Sequence, residues 1–146
     1  MADQNQLQRV ADELEIRNII SNVALLGDGG DLKEYAELFT EDAHWNLRPE
    51  PGKPVEFPPV TGRANIVAAA QKRREGGISG PGTHHYHLVD TTGVKVAGDK
   101  ATATTYLVFL KNCHKTPEVA LFRIYHDEFR RTPSGWKLAK RDIALP

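Results

Sequence analysis

Thr83-His84-His85-Tyr86-His87-Leu88-Val89-Asp90-Thr91-Thr92-Gly93-Val94-Lys95-Val96-Ala97-Gly98-Asp99-Lys100-Ala101-Thr102 is where the chain changes character. Before it, apolar residues recur at helical spacing. From it onward, β-branched and aromatic residues gather in runs broken by short turn signals. Gly98-Asp99 reads as a tight hairpin. Lys100 to Cys113, rich in Thr, Tyr, Val and Phe, is the next run, and Val119 to Arg131 the third. Pro133-Ser134-Gly135 makes another turn, and Trp136 to Ile143 is the last strand. Runs joined by such short turns predict an antiparallel meander.

Working back from that stretch, Leu7, Val10, Ala11, Leu14, Ile16, Ile19, Ile20, Val23 and Leu26 recur every three to four residues and predict a helix. Gly27 is expected to stop it. Asp31, with Glu34 in the capping-box position, opens a second helix through Tyr35, Leu38 and Phe39, ending near Asp42. His44 to Leu47 reads as a short strand. Arg48 to Pro59 is a proline-rich loop with a brief strand at Val55 to Phe57. Gly62 introduces a third helix from Arg63 to Glu75, and the glycines from Gly76 to Gly82 end it. Helices set ahead of a meander give an α+β layer fold. A strongly twisted sheet of this size needs its concave face filled by helices or by a pocket.

The 146 residues suit one domain with one core, spanning 1–146. With 40% hydrophobic and 26% charged residues, the composition is that of an ordinary globular protein. Nineteen basic residues balance nineteen acidic ones, which argues against a nucleic-acid partner. The basic run Gln71-Lys72-Arg73-Arg74 reads as a solvated helix face. The single cysteine, Cys113, rules out an internal disulfide and a thiolate zinc site. Met1 to Gln8 is polar, unlike a secretion signal, and no apolar run approaches the ~20 residues of a membrane helix. The expectation is a cytoplasmic protein with no membrane partner.

Three of the six histidines fall within four positions. On a strand His85 and His87 share one face, and His84 and Tyr86 the other. Imidazole is costly to bury without partners and titrates near neutral pH, so such a cluster suits acid–base chemistry. His85 and His87 have H-x-H metal-ligand spacing, but Asp90, the one carboxylate nearby, belongs to the opposite face; no metal is expected. Asp28, between glycines past an apolar helix face, can orient an imidazole or serve as a turn residue. Arg141 on the last strand can clamp a substrate anion or pair with a carboxylate beside it. Trp45, Tyr35, Tyr106, Phe109 and Phe122 are candidates for an aromatic pocket lining. There is no phosphate loop, dinucleotide fingerprint or nucleophile elbow.

The order of these parts resembles the SnoaL-like domains of the nuclear-transport-factor-2-like superfamily. The resemblance rests on Leu26-Gly27-Asp28-Gly29-Gly30-Asp31, Tyr35-Ala36-Glu37-Leu38-Phe39-Thr40-Glu41-Asp42-Ala43-His44-Trp45, the histidine strand, the Val96 to Ala101 hairpin, and Asp127 to Arg131 with Gly135-Trp136-Lys137. It implies a cone of curved antiparallel sheet closed by N-terminal helices, a cystatin-like α+β barrel with a pocket inside. The chain is most similar to the branch of scytalone dehydratase, hexachlorocyclohexane dehydrochlorinase and bile-acid dehydratase. That similarity implies a cofactor-independent lyase in which an aspartate-oriented histidine removes a proton from a hydrophobic, aromatic or alicyclic small molecule. Asp28 matches the aspartate, Arg141 matches a pocket arginine, and His87 or His85 matches the base. Five residues before the aspartate, where Tyr or Lys often assists leaving-group departure, stands Val23. That leaves dehydratase, dehydrochlorinase and diarylpropane-lyase chemistry open beside isomerisation or polyketide cyclisation. A non-catalytic role, as in ring-hydroxylating dioxygenase small subunits, is the competing expectation. The same resemblance implies a homo-oligomer, trimer or dimer, because an open curved sheet leaves a face and an edge to cover.

Overall fold

The computed structural model describes residues 3–146; Met1 and Ala2, the start of the polar N-terminal stretch, lie outside it. Three helices, α1 (Gln4–Gly29), α2 (Leu32–Glu37) and α3 (Arg63–Glu75), accompany six strands. The strands are β1 (Phe39–Leu47), β2 (Val60–Thr61), β3 (Tyr86–Ala97), β4 (Lys100–Lys111), β5 (Glu118–Thr132) and β6 (Gly135–Ala144). They form one curved, unclosed sheet in the order β2-β1-β6-β5-β4-β3, an α+β fold of the expected class.

The meander β3 to β6 is antiparallel throughout. β1 was not foreseen in its full length or its direction: it lies parallel to β6, with Trp45 opposite Arg141. This pairing also corrects the second helix. Asp31 caps it as expected, accepting from the backbone N–H of Lys33 at 2.7 Å. The helix ends at Glu37 rather than Asp42 because Leu38 O accepts the Leu138 N–H at 2.8 Å and Phe39 takes a place opposite Leu138 in the sheet. A ladder with β6 satisfies more backbone than another helical turn would. The brief strand expected at Val55 to Phe57 is instead loop, and the short β2 follows at Val60–Thr61.

α1 lies along the free edge of β3. Arg17 Nη1 donates to Thr92 O at 2.8 Å, and Asp28 Oδ2 accepts the His87 N–H at 2.8 Å. A helix with polar side chains thus occupies backbone groups that an exposed edge strand would offer to another chain. The apolar stripe Ile16, Ile19, Ile20 and Val23 packs on Tyr35, Phe39, Phe129, Trp136 and Leu138 as the main core. Leu107, Tyr125 and Ile143, with Trp45 and Leu121 against them, form a second, smaller cluster.

One irregularity decides which side chains enter the cone. Thr91 has φ 55°, and the β3–β4 register shifts between Asp90 and Thr92. Val96, Val94 and Thr92 are half-buried on the inner side; past the extra residue the inner set becomes Val89, His87 and His85. Unbroken alternation back from the hairpin would have turned Leu88 and Tyr86 inward instead. No helix of the described residues is long and apolar enough to cross a membrane.

Candidate functional site

The concave face of the sheet, the end of α1, the flank of α3 and the Glu56–Val60 segment enclose a cavity of about 640 Å³. That lies within the usual range for small-molecule sites. Its lining is mostly apolar, with Trp45 and Leu47 from β1, Leu107 and Phe109 from β4, and Ile66 and Ala70 from α3.

His87 is the one histidine on this lining. Its Nδ1 lies 2.6 Å from Asp28 Oδ1, and its own backbone N–H donates to Asp28 Oδ2 at 2.8 Å. One carboxylate therefore holds both the ring and the main chain of the same residue, which fixes the imidazole orientation twice over. A carboxylate accepts, so Nδ1 carries a proton; in the neutral ring the lone pair is then on Nε2, which has no protein partner. Asp28 is 8% exposed and stands behind the ring rather than on the cavity wall. It is able to do so because α1 runs two residues past Gly27, placing Asp28 in the helix's last turn.

The histidine strand divides as follows. His85 is on the same side as His87, and both rings pack on Phe109, with centroids at 5.8 and 4.6 Å. His85 Nδ1 is taken by Ile78 O at 2.8 Å, and the residue does not line the cavity. His84 has φ 58° and precedes the strand, its ring stacked on His114 at 4.2 Å. Asp28 and His87 are thus brought together, and His85 is not part of that contact.

Of the two roles open to Arg141, clamping a substrate anion or pairing with a carboxylate beside it, the second is the one seen: Nε and Nη2 grip Asp127 Oδ1 and Oδ2 at 2.8 and 2.7 Å, and Arg141 is 1% exposed. The reason is register, since Asp127 on β5 faces Arg141 on β6. Burial opposes the charge of Arg141, but the charge and hydrogen bonds of Asp127 outweigh it and hold the guanidinium pKa above its ordinary value. The guanidinium also lies 3.8 Å from the Tyr125 ring centroid and 5.1 Å from that of Trp45. Both rings line the cavity, so Arg141 supports its wall from behind.

Of the expected aromatic lining, Trp45, Tyr35 and Phe109 are in place. Tyr106 and Phe122 are not: they pack edge-on at 5.4 Å on the outer face of the sheet, 45% and 36% exposed. Strand parity sends them there, each being one residue from an inward position, Leu107 and Leu121 respectively.

The sequence reading missed Tyr125, Arg123, Asn65, Arg73 and Ser79, all on the lining. Tyr125 shares its face of β5 with Asp127 and Phe129, so alternation would have found it once that face was known. Arg73 and Arg123 look like surface charges in the sequence. Burial pushes the phenol pKa values of Tyr35 and Tyr125 up, against the opposing charges of Arg73 and Arg141, so both remain protonated and offer O–H donors near neutral pH. Val23 lines the cavity too, as an apolar contact.

A model of the SnoaL-like domain matches residues 8–142 of the chain. The chain is similar to an NTF2-like protein with a cystatin-like fold from Novosphingobium aromaticivorans, at 29% identity and a TM-score of 0.82, over 99% of this chain and 91% of that one. It is similar to ActVI-ORFA from Streptomyces coelicolor at 25% identity, with a TM-score of 0.71 over 90% and 95% of the two chains. A protein with a cystatin-like fold from Nostoc punctiforme shares the fold at 17% identity, with a TM-score of 0.77 over 93% and 92%. Among functionally curated proteins no significant match was found. The domain model covers nearly the whole length of the chain and these solved structures share its fold, so the chain belongs to the SnoaL-like domain family of the nuclear-transport-factor-2-like superfamily.

Proposed function

We propose that the cavity is the active site of a cofactor-independent lyase for a hydrophobic aromatic or alicyclic small molecule. The observation that carries this reading is the double contact of Asp28 with His87, a residue of the cavity lining whose Nε2 has no protein partner. Nε2 takes a proton from a substrate carbon. The electron pair left behind forms the new double bond, and the leaving group departs from the adjacent carbon. Asp28 stabilises the imidazolium that forms and keeps the ring in the reactive tautomer. Trp45, Tyr35 and Phe109 hold the apolar body of the substrate, and Arg141 acts on the reaction only through the wall it supports.

Val23 favours a second reading within the same chemistry. No acid–base side chain stands there to help a leaving group, and the proton taken by His87 returns to another atom of the substrate in an isomerisation or cyclisation. A panel of aromatic and alicyclic substrates turned over in the presence of EDTA tests both, since elimination releases a leaving group and isomerisation does not. Asp28→Asn is expected to reduce kcat by about 10²–10⁴-fold, as loss of the orienting carboxylate does in histidine catalysis. His87→Ala should be at least as severe and His85→Ala close to wild type. Full turnover in both Asp28→Asn and His87→Ala would overturn the assignment.

The same reading includes a homo-oligomer. Tyr86, Leu88, Tyr106 and Phe122 are exposed on the outer face of adjacent strands β3, β4 and β5, an apolar patch that a second copy would cover.

A further inference from the structure

We propose that Arg74, which touches neither the cavity nor the reacting pair, is the positioning residue that holds Asp28 and His87 in register. The inference rests on the reading of that pair as the reactive one. Arg74 sits in the last turn of α3. Its Nη2 donates to three carbonyls, Leu26 O at 2.8 Å, Gly27 O at 3.3 Å and Gly30 O at 2.8 Å. These bracket Asp28 on both sides. They lie at the end of a helix whose last turn carries no basic residue of its own; Leu26 O also accepts the Gly30 N–H at 3.0 Å, whereas Gly27 O and Gly30 O lie past that closing bond. Arg74 supplies from another helix the donor and the charge that α1 lacks. This is also why α1 continues through Gly27 to Gly29 and delivers Asp28 on a helical turn rather than on a loose loop.

The same side chain governs the other partner. The stem of Arg74 packs flat on Gly80, which has φ +113°; a Cβ there would collide with Arg74 Cγ. Gly80 O in turn accepts Thr83 N–H at 3.2 Å and Thr83 Oγ1–H at 2.8 Å, and Thr83 Oγ1 accepts the His85 N–H at 3.2 Å. That chain of bonds leads directly into β3 and His87. The guanidinium thus fixes the Asp28 turn while its aliphatic part fixes the approach to the His87 strand. The arrangement is lopsided for a residue kept only for stability, because Nε is buried without a hydrogen-bond partner while Nη2 is bonded three times.

The test needs no substrate. Full-length ¹⁵N-labelled protein is compared with Arg74→Met, which keeps a stem against Gly80 but removes the donors, and with Asp28→Asn as the reference for a broken pair. Wild type should show a slowly exchanging Nδ1 proton on His87 and a single tautomer. Arg74→Met should exchange that proton at least about tenfold faster and shift the ring nitrogens towards a tautomer mixture, as Asp28→Asn does, while the β4–β6 amide spectrum stays in place. Wild-type exchange and tautomer in a folded Arg74→Met protein would overturn the proposal, whatever happens to its melting temperature. If Arg74→Met fails to fold, Arg74→Lys is read instead. Its ammonium cannot reproduce the planar reach, so exchange between the two references is expected and wild-type exchange refutes. Absence of turnover on every substrate would count against the lyase reading alone, since these signals report the geometry of the pair without it.

Discussion

The buried pair of Arg141 and Asp127 allows a prediction whose size follows from its surroundings. Asp127→Leu removes the carboxylate and leaves a guanidinium, 1% exposed, with Nε and Nη2 unpaired. Breaking a buried ion pair from one side costs about 3–5 kcal/mol. The Tyr125 ring, 3.8 Å from the guanidinium carbon, retains some cation–π attraction, so the lower half of that range, about 3–4 kcal/mol, is expected. At about 3 °C per kcal/mol for a chain of this size, the melting temperature should fall by roughly 10 °C. Arg141→Met alone strands the carboxylate of Asp127 and should cost a similar amount. The double variant Asp127→Leu/Arg141→Met replaces two charges by apolar volume and should return to within about 1–2 kcal/mol of wild type. Urea denaturation of the four proteins gives the coupling energy directly. Single variants that each cost under about 1 kcal/mol, with additive effects, would refute the view that this pair sets the floor of the cavity wall.

Two further predictions address pH and assembly. Asp12 accepts from Arg131, Trp136 Nε1 and Gln8, and these bonds, that of Arg131 foremost, hold its carboxyl well below the usual carboxylate range against the opposing effect of burial. Its stabilisation is therefore present above the unfolded value and is lost as the pH falls through the folded one, so acid titration should show declining stability below about pH 4. Asp12→Asn should be less stable by about 3 kcal/mol at pH 7 and flatter in that acid limb; an unchanged acid limb would contradict the assignment. Tyr106→Glu, placing a charge in the outer apolar patch, should lower the molar mass seen by light scattering to that of one chain without lowering the melting temperature of that chain. A wild type that is already monomeric, or a variant with undiminished mass, would exclude that face as the contact.

What the residues revealed and what they hid follow a physical line. α3 lies between Gly62 and Gly76 as expected, and the meander turns lie at Gly98-Asp99 and Pro133 to Gly135, because glycine and proline act locally. The stretch Phe39 to Asp42 was read as the end of the second helix because its fate depends on β6, about a hundred residues later. Helix propensity does not carry that information. In the site, the shared face of His85 and His87 was legible from alternation, and so was Asp28 as the candidate orienting group. Which histidine meets it was not, because the choice depends on Ile78 O occupying His85. The bulge at Thr91 has no glycine to announce it. Tyr106 and Phe122 were misjudged for want of a register; for Arg141 a substrate anion and a carboxylate partner both stood open, and the choice depends on Asp127, fourteen residues away on a neighbouring strand.

The parallel pairing of β1 with β6 has a consequence for how the molecule comes into being. β1 is the first strand to leave a ribosome and β6 the last, and Asn46 and Asp142, bonded at 3.1 Å, are 96 residues apart. Closing so long a loop comes late in folding, and sheets with such separated partners are slow to form. Until then Trp45 and Leu47 have no wall to join and the nascent chain carries an open apolar strand. The meander can assemble early around the His87 strand, but the chamber exists only after the final strand is made. Variants in β6 should therefore betray themselves first as poor yield from synthesis, before any change in the finished protein is noticed.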